Sequence, residues 1–188
     1  MRTIPADIPY LQADSARCKS WQARVESAAR PGSRLRVGLT WAGNPKHKND
    51  SNRSVDPALL SGLAAVEGVD FFSLQKSKEN KRAESPPGLR LIDFTNSLYD
   101  FAETAALIEQ LDLVISADTA VAHLAGALGK PVWTLIPNPP DFRWHVRGDQ
   151  TAWYPTMRLF RQESYGEWAD VMERIVRELK IRAATARL

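Results

Sequence analysis

Two kinds of hydrophobic patterning alternate along the chain. Short, unbroken apolar runs bounded by polar residues mark strands buried on both faces of a sheet. Six such runs occur: Leu35–Trp41, Gly68–Gln75, Leu89–Ile92, the run opening at Leu111, Val132–Ile136 and Met157–Arg161. Between them, apolar residues recur at helical spacing. Asp56-Pro57 opens a helix with Leu59, Leu60 and Leu63 on one side, and Asp100–Gln110 carries the stripe Phe101, Ala105, Ile108 and Leu111. Gly166–Ile181 presents Trp168, Val171, Met172, Ile175, Val176 and Leu179 on one face. The charged segment Lys76–Glu84 reads as a short helix closed by Pro86-Pro87-Gly88.

This alternation predicts an α/β fold, a Rossmann-like doubly wound parallel sheet of about six strands. Residues 1–33 stand apart as a lead-in segment and helix, with Trp21, Val25 and Ala28 on one side and Pro31-Gly32-Ser33 breaking it. Residues 34–188 then form the domain proper. With the strand order 3-2-1-4-5-6, a ligand crevice falls outside the carboxyl ends of strands one and four, where the winding reverses.

The segment Leu111–Ile136 forms the centre of that reading. A buried strand leads into Asp118-Thr119, an N-cap and acidic first turn for a helix. Small residues Ala122, Ala125 and Gly126 let that helix lie close to the sheet, Gly129 stops it, and Pro131 precedes the next strand. Such a helix start directs unpaired backbone N–H groups and the positive end of the helix dipole at one spot, which suits a phosphate. Thr119 and His123, four apart, share the face beside it; local pattern alone favours a capped helix with a packed histidine. Two connections are far longer than the about 2–6 residues usual after a strand: the polar, basic loop 42–54 and the proline- and aromatic-rich loop 137–155. In the predicted topology both border the crevice, and Gln75 joins them from the end of strand two.

Composition narrows the chemistry. The 188 residues are 44% hydrophobic and 25% charged, ordinary for a globular domain. A net charge of +3 suits an anionic ligand but is too small and scattered for nucleic acid. No apolar run approaches the about 18 residues of a membrane span, and no secretory signal pattern opens the chain. The lone Cys18 fits a reducing compartment, so a cytoplasmic location is expected. Strand one is followed by Trp41-Ala-Gly-Asn-Pro, not by a Gly-x-Gly-x-x-Gly turn, which argues against NAD or FAD. A P-loop and a nucleophile elbow are missing as well. His47, His123 and His145 are scattered, without metal-ligand spacing. A diphosphate site that needs no bound metal remains.

The segment Asp118-Thr-x-x-x-His123-Leu-Ala-x-Ala-x-Gly129-x-Pro131 resembles the matching motif of the family-nine glycosyltransferases, the bacterial heptosyltransferases, and more loosely that of the O-linked N-acetylglucosaminyl transferases. The resemblance implies the donor-binding half of a GT-B fold, holding a nucleoside-diphosphate sugar with its pyrophosphate on this helix. By position, Asp118 would contact sugar hydroxyls, Thr119 and the following amides, Ala120 first, the diphosphate, and His123 a phosphate oxygen. Where the family carries a leaving-group lysine, this chain has Asn52-Arg53-Ser54. Arg53 would take that role, since arginine can bridge two phosphate oxygens, with Asn52 beside it and Lys46 and Lys48 as further candidates. Gln75 falls where a polar residue nears the base or ribose, and Arg143 is a further binding candidate. Trp41, Trp133 and Phe101 read as core rather than as platforms for a ligand. The Trp153-Tyr154-Pro155 run resembles modules that follow tetratricopeptide repeats in bacterial proteins.

The expected activity is inverting, metal-independent glycosyl transfer from a nucleoside-diphosphate sugar to an unknown acceptor, with no further cofactor. Arg53 and His123 would stabilise the departing diphosphate. No general base is evident, so an upstream acceptor or repeat domain, or a homodimer partner, is expected to complete the site. The competing readings are a nucleotide-binding or interaction module without catalysis, and a flavodoxin-like or sugar-phosphate isomerase domain.

Overall fold

The computed structural model describes residues 7–76 and 84–186. Six parallel strands form one sheet: β1 Leu35–Thr40, β2 Val69–Ser73, β3 Leu91–Asp93, β4 Leu113–Ala117, β5 Val132–Ile136 and β6 Met157–Arg161. Their order is β3-β2-β1-β4-β5-β6. The register of β1 against β4 pairs Val37 with Leu113 and Thr40 with Ser116, so both strands end at the same rim. The winding reverses between them, as predicted.

One face of the sheet is covered by α1 (Ser15–Ala28), α3 (Phe101–Glu109) and α4 (Ala120–Ala127), the other by a 3-10 helix at Pro57–Ala65 and α5 (Ala169–Thr185). Strands β2, β4 and β5 are buried at every position, because both faces carry a layer. A further short helix, α2 (Asp50–Arg53), interrupts the long loop after β1. Most of the charged segment read as a short helix at Lys76–Glu84 lies outside the described residues. No helix among the described residues is long and apolar enough to cross a membrane.

Three local expectations change. The segment opened by Asp56-Pro57 winds as a 3-10 helix, not an α-helix. Its buried residues, Leu60 and Leu63, are three apart, which matches one 3-10 turn, and Leu59 points outward at 37% exposure. Phe101 does not join the core stripe of α3; it is 63% exposed, while Ala105, Ile108 and Leu111 are buried. The reason is its place in the first turn of α3, at the carboxyl rim of the sheet. Gly126 faces the ring of Tyr154 rather than easing the helix onto the sheet. Ala122 and Ala125, both fully buried, serve the close packing expected of all three.

The lead-in helix shares the core of the domain. Trp21 and Val25 of α1 are buried in the same apolar cluster as α3, and the Trp21 indole N–H donates to Glu103 at 2.7 Å. Gly129, at φ +76°, ends α4 as its position predicted, in a conformation open to glycine at no steric cost.

Candidate functional site

At the rim where β1 and β4 end, a cleft of about 480 Å³ opens. Thr40, Ala42, Gly43 and Arg53 line it from one side; Asp118, Thr119, Ala120 and His123 line it from the other. Arg143, Gln75 and Phe101 border it as well. Two turns far apart in the chain thus meet at one point.

The start of α4 is left open. Thr119 occupies the N-cap position, yet its side chain makes no capping hydrogen bond, contrary to the capping role read from Asp118-Thr119. The Ser116 hydroxyl donates to the Ala117 carbonyl at 2.7 Å, which leaves its oxygen to accept from the Thr119 hydroxyl 3.2 Å away. The first-turn amides are therefore not covered by the residue best placed to cover them.

Asp118 is 3% exposed and sits between two cationic or proton-bearing groups. Its Oδ2 is 3.8 Å from Arg143 Nη2, and its Oδ1 is 3.9 Å from His123 Nε2. Arg143 is fixed in turn by Asp141, whose carboxylate accepts from Nε at 2.8 Å and from the Arg143 backbone N–H at 3.1 Å. Burial works against ionisation of Asp141, but these two bonds outweigh it and hold the carboxyl below its ordinary range. The His123 ring stacks on Trp144, with centroids 5.2 Å apart and planes at 21°, and its Nδ1 lies 3.0 Å from the Tyr154 hydroxyl. Burial, and then the nearby Arg143 charge, push the imidazole pKa down against the opposing pull of Asp118 and Asp141, so His123 is neutral at pH 7.

Arg53 reaches the cleft from α2. Its guanidinium lies 3.6 Å from Asp50, and its Nε has no hydrogen-bond partner among the described residues. Gly43 makes this possible, because a Cβ there would run into the Arg53 and Asp50 side-chain ends. Asn52 faces away from the cleft. It is buried, and its amide donates to the Asn138 carbonyl at 3.0 Å, pinning α2 to the loop after β5. Lys46 lies exposed on the preceding turn and does not line the cleft.

Gln75 has a structural duty. Its Oε1 accepts from the backbone N–H groups of Trp41 at 3.0 Å and Ala42 at 2.8 Å, closing the end of β1 onto β2. Trp144 is fully buried beneath His123, and Arg161 holds the surrounding loop by donating to the carbonyls of Trp144, His145 and Gly148. Two aromatic residues in or beside the site are among those not assigned from sequence. Phe101 borders the cleft as an exposed aromatic, a position its place just after the Asp100 N-cap could have signalled. Tyr154 touches His123 from 31 residues away, and no local pattern announces that contact. Among the described residues, no group of three or more His, Cys, Asp or Glu is arranged to hold a metal ion.

Residues 66–153 match the family model of glycosyltransferase family 9 (heptosyltransferase). The matched stretch contains β2 through β5, α4 and the Asp118–His123 turn. Over 195 aligned residues the chain is 32% identical to Protein FlbA of Caulobacter vibrioides, covering 97% of this chain and 30% of that protein. Two solved structures share the fold. The E. coli ADP-heptose lipopolysaccharide heptosyltransferase II superposes with a TM-score of 0.60 at 14% identity, over 96% of this chain and 56% of its own. The glycosyl transferase family 9 structure from Veillonella parvula gives 0.61 at 11% identity, over 92% and 53%. The chain therefore spans under a third of FlbA and little more than half of either solved structure. Its fold is the Rossmann-like architecture of GT-B glycosyltransferases.

Proposed function

We propose that this chain is the donor-binding domain of a glycosyltransferase that takes a nucleoside-diphosphate sugar and transfers the sugar to an acceptor, without a metal and with inversion at the anomeric carbon. One observation carries the reading: the uncapped start of α4 faces the Arg53 guanidinium across a single cleft, with His123 beside it. The match to glycosyltransferase family 9 over residues 66–153 supports it.

The demanding event in such a transfer is departure of the nucleoside diphosphate, because negative charge grows on the leaving oxygen. The first-turn amides of α4, the neutral His123 imidazole and Arg53 are fixed groups of the right polarity to stabilise that charge. Arg53 is suited because its planar fork can engage two phosphate oxygens. Asp118 is suited to sugar hydroxyls rather than phosphate, since it is a carboxylate already flanked by Arg143 and His123.

The acceptor hydroxyl needs a general base. Asp118 is the one carboxylate, among the described residues, that lines the cleft, and its oxygens already face Arg143 and His123. The base and the acceptor site then come from an upstream acceptor or repeat domain, or from a homodimer partner. A module that follows tetratricopeptide repeats in a bacterial cytoplasm suits this division of labour. The same lack of a base in the cleft favours a second reading, a nucleotide-binding or interaction module that does no chemistry itself.

Calorimetry with UDP, GDP and ADP separates these readings when followed by donor turnover with and without candidate acceptors. Binding with acceptor-dependent turnover supports the enzyme, and binding without turnover under every acceptor condition supports the module. His123→Ala and Arg53→Ala should each weaken nucleoside-diphosphate binding by about 1–3 kcal/mol, as for hydrogen bonds to charged groups. Unchanged affinity in a folded double variant rejects the site.

A further inference from the structure

The match to glycosyltransferase family 9 ends at Trp153, and the side chain of the next residue packs against His123 of the cleft. Tyr154 is 6% exposed. Its ring lies over Gly126 of α4, where a Cβ would come within 2.6 Å of it, and its hydroxyl stands 3.0 Å from His123 Nδ1. The same hydroxyl lies 3.3 Å from that of Tyr10. Tyr10 is held by its own backbone, because the N–H groups of Tyr10 and Leu11 both donate to the Ala127 carbonyl at the end of α4. A chain of three polar groups thus runs from the exposed N-terminal segment to the imidazole.

The direction of this chain follows from the other ring nitrogen. His123 Nε2 is buried, has no hydrogen-bond partner among the described residues and lies 3.9 Å from the Asp118 carboxylate. The charged groups around the ring are Asp118, Arg143 and Asp141, with the Tyr154 phenol on the opposite side. A neutral imidazole carries one proton. With that proton on Nδ1, a bare lone pair on Nε2 would face the carboxylate, which is repulsive. With the proton on Nε2, an N–H faces Asp118 and the lone pair on Nδ1 accepts from Tyr154. Tyr154 then has its oxygen free to accept from Tyr10.

We propose that Tyr154 is a positioning residue for His123: its hydroxyl, oriented by Tyr10, donates to Nδ1 and locks the imidazole in the tautomer whose Nε2–H faces the Asp118 carboxylate at the wall of the cleft. That the cleft takes a nucleoside diphosphate rests on the reading under Proposed function; the tautomer itself does not. Neighbours of His123 other than Tyr154 act on the ring differently. Trp144 fixes its plane by stacking, and Arg143 bears on its charge. Tyr154 alone, among the described residues, bonds to the nitrogen that selects the tautomer.

The test is nitrogen-15 NMR of the imidazole in the nucleotide-free protein, at a pH above the ordinary histidine range. His123 signals are assigned by their loss in His123→Gln. The wild type should show the proton on Nε2 and a hydrogen-bonded lone pair on Nδ1. Tyr154→Phe keeps the ring over Gly126 and removes the hydroxyl; the Nδ1 signal should move to that of an unbonded lone pair and the second tautomer should appear. Tyr10→Phe, at an exposed position, should produce a smaller shift in the same direction and covers the case in which Tyr154→Phe does not fold. A proton on Nδ1 in the wild type would overturn the proposal, as would unchanged His123 signals in either folded variant. Affinity for UDP, GDP or ADP is the second readout, and Tyr154→Phe should weaken it about three- to tenfold, the worth of one hydrogen bond. A wild type that binds none of the three nucleotides defeats the functional reading and leaves the tautomer result standing.

Discussion

Gly126 lies directly beneath the ring of Tyr154, with the position of an added Cβ only 2.6 Å from the ring carbon Cγ. The ring is not a flexible chain end; it is buried and its hydroxyl is engaged on two sides. In an open helix, Gly→Ala would stabilise by about 1 kcal/mol through helix propensity. Here overpacking reverses the sign, and Gly126→Ala should destabilise by about 1–3 kcal/mol. Urea denaturation decides: equal or higher stability of Gly126→Ala would show that the ring moves freely and that the contact has no structural weight.

Glu103 joins the N-terminal helix to the domain. Its Oε2 accepts from the Trp21 indole at 2.7 Å, and its Oε1 accepts from the Tyr99 hydroxyl and from Arg17, each at 2.8 Å. The Trp21 bond, followed by that of Tyr99, holds this carboxyl below its ordinary range against the effect of burial. A carboxyl depressed in the folded state contributes stability above its unfolded pKa, near 4.3, and loses it as pH falls through the folded value. Glu103→Ala leaves the fully buried Trp21 N–H without a partner, at a cost of about 1–3 kcal/mol near pH 7, and should flatten the acid limb of the stability curve. Tyr99→Phe, at an exposed position, should change stability by less than about 0.5 kcal/mol. A Glu103→Ala variant as stable as wild type would mean that the Glu103 bonds carry no weight in holding α1.

Asp118 and Arg53 face one cleft with opposite charges, and so should respond oppositely to the ligand. Asp118→Asn removes a negative charge beside the α4 amides while keeping the shape. It should leave nucleoside-diphosphate affinity unchanged or raise it, and should reduce the preference for the sugar-bearing donor over the free diphosphate. Arg53→Ala should weaken both ligands together. Paired titrations of each variant with a nucleoside-diphosphate sugar and the matching diphosphate measure the ratio. Equal loss of both ligands in Asp118→Asn would move Asp118 out of contact with the sugar.

The strands were legible because a sheet covered on both faces demands continuous apolar runs, and β1, β2 and β5 supply them with few other options. The reversal between β1 and β4 followed from ordinary α/β topology once the run was counted, and with it the pairing of the Arg53 and Asp118 turns across one cleft. What escaped were facts fixed by three-dimensional neighbours. Periodicity assigned Phe101 to the core because it cannot tell a helix turn over the sheet from one at its rim. Asn52 and Gln75 looked like ligand contacts, since a polar side chain in a loop reads the same whether it meets a ligand or a backbone group; here they meet the Asn138 carbonyl and the Trp41 and Ala42 amides. Tyr154 stood in a quoted run without a role, because its partner His123 lies a whole strand away.

Neutral His123 makes stability depend on pH in a window of its own. Its pKa is depressed in the folded protein, first by burial and then by Arg143, whereas in the unfolded chain it titrates near 6.5. As pH falls below that value the unfolded chain takes up a proton that the folded protein refuses, so stability is lost down to the folded pKa and is fully present above about 6.5. Carboxylates titrate near 4, so the interval from about 6.5 to 5 reports histidine. His47 and His145 are exposed, which leaves His123 as the half-buried one of the three. Urea midpoints at pH 7.5 and pH 5.5 should differ more for the wild type than for His123→Gln, the variant having lost that part of the slope. Identical slopes in wild type and His123→Gln would mean that the folded imidazole titrates as it does in the unfolded chain, and the depression by burial and Arg143 would have to be abandoned.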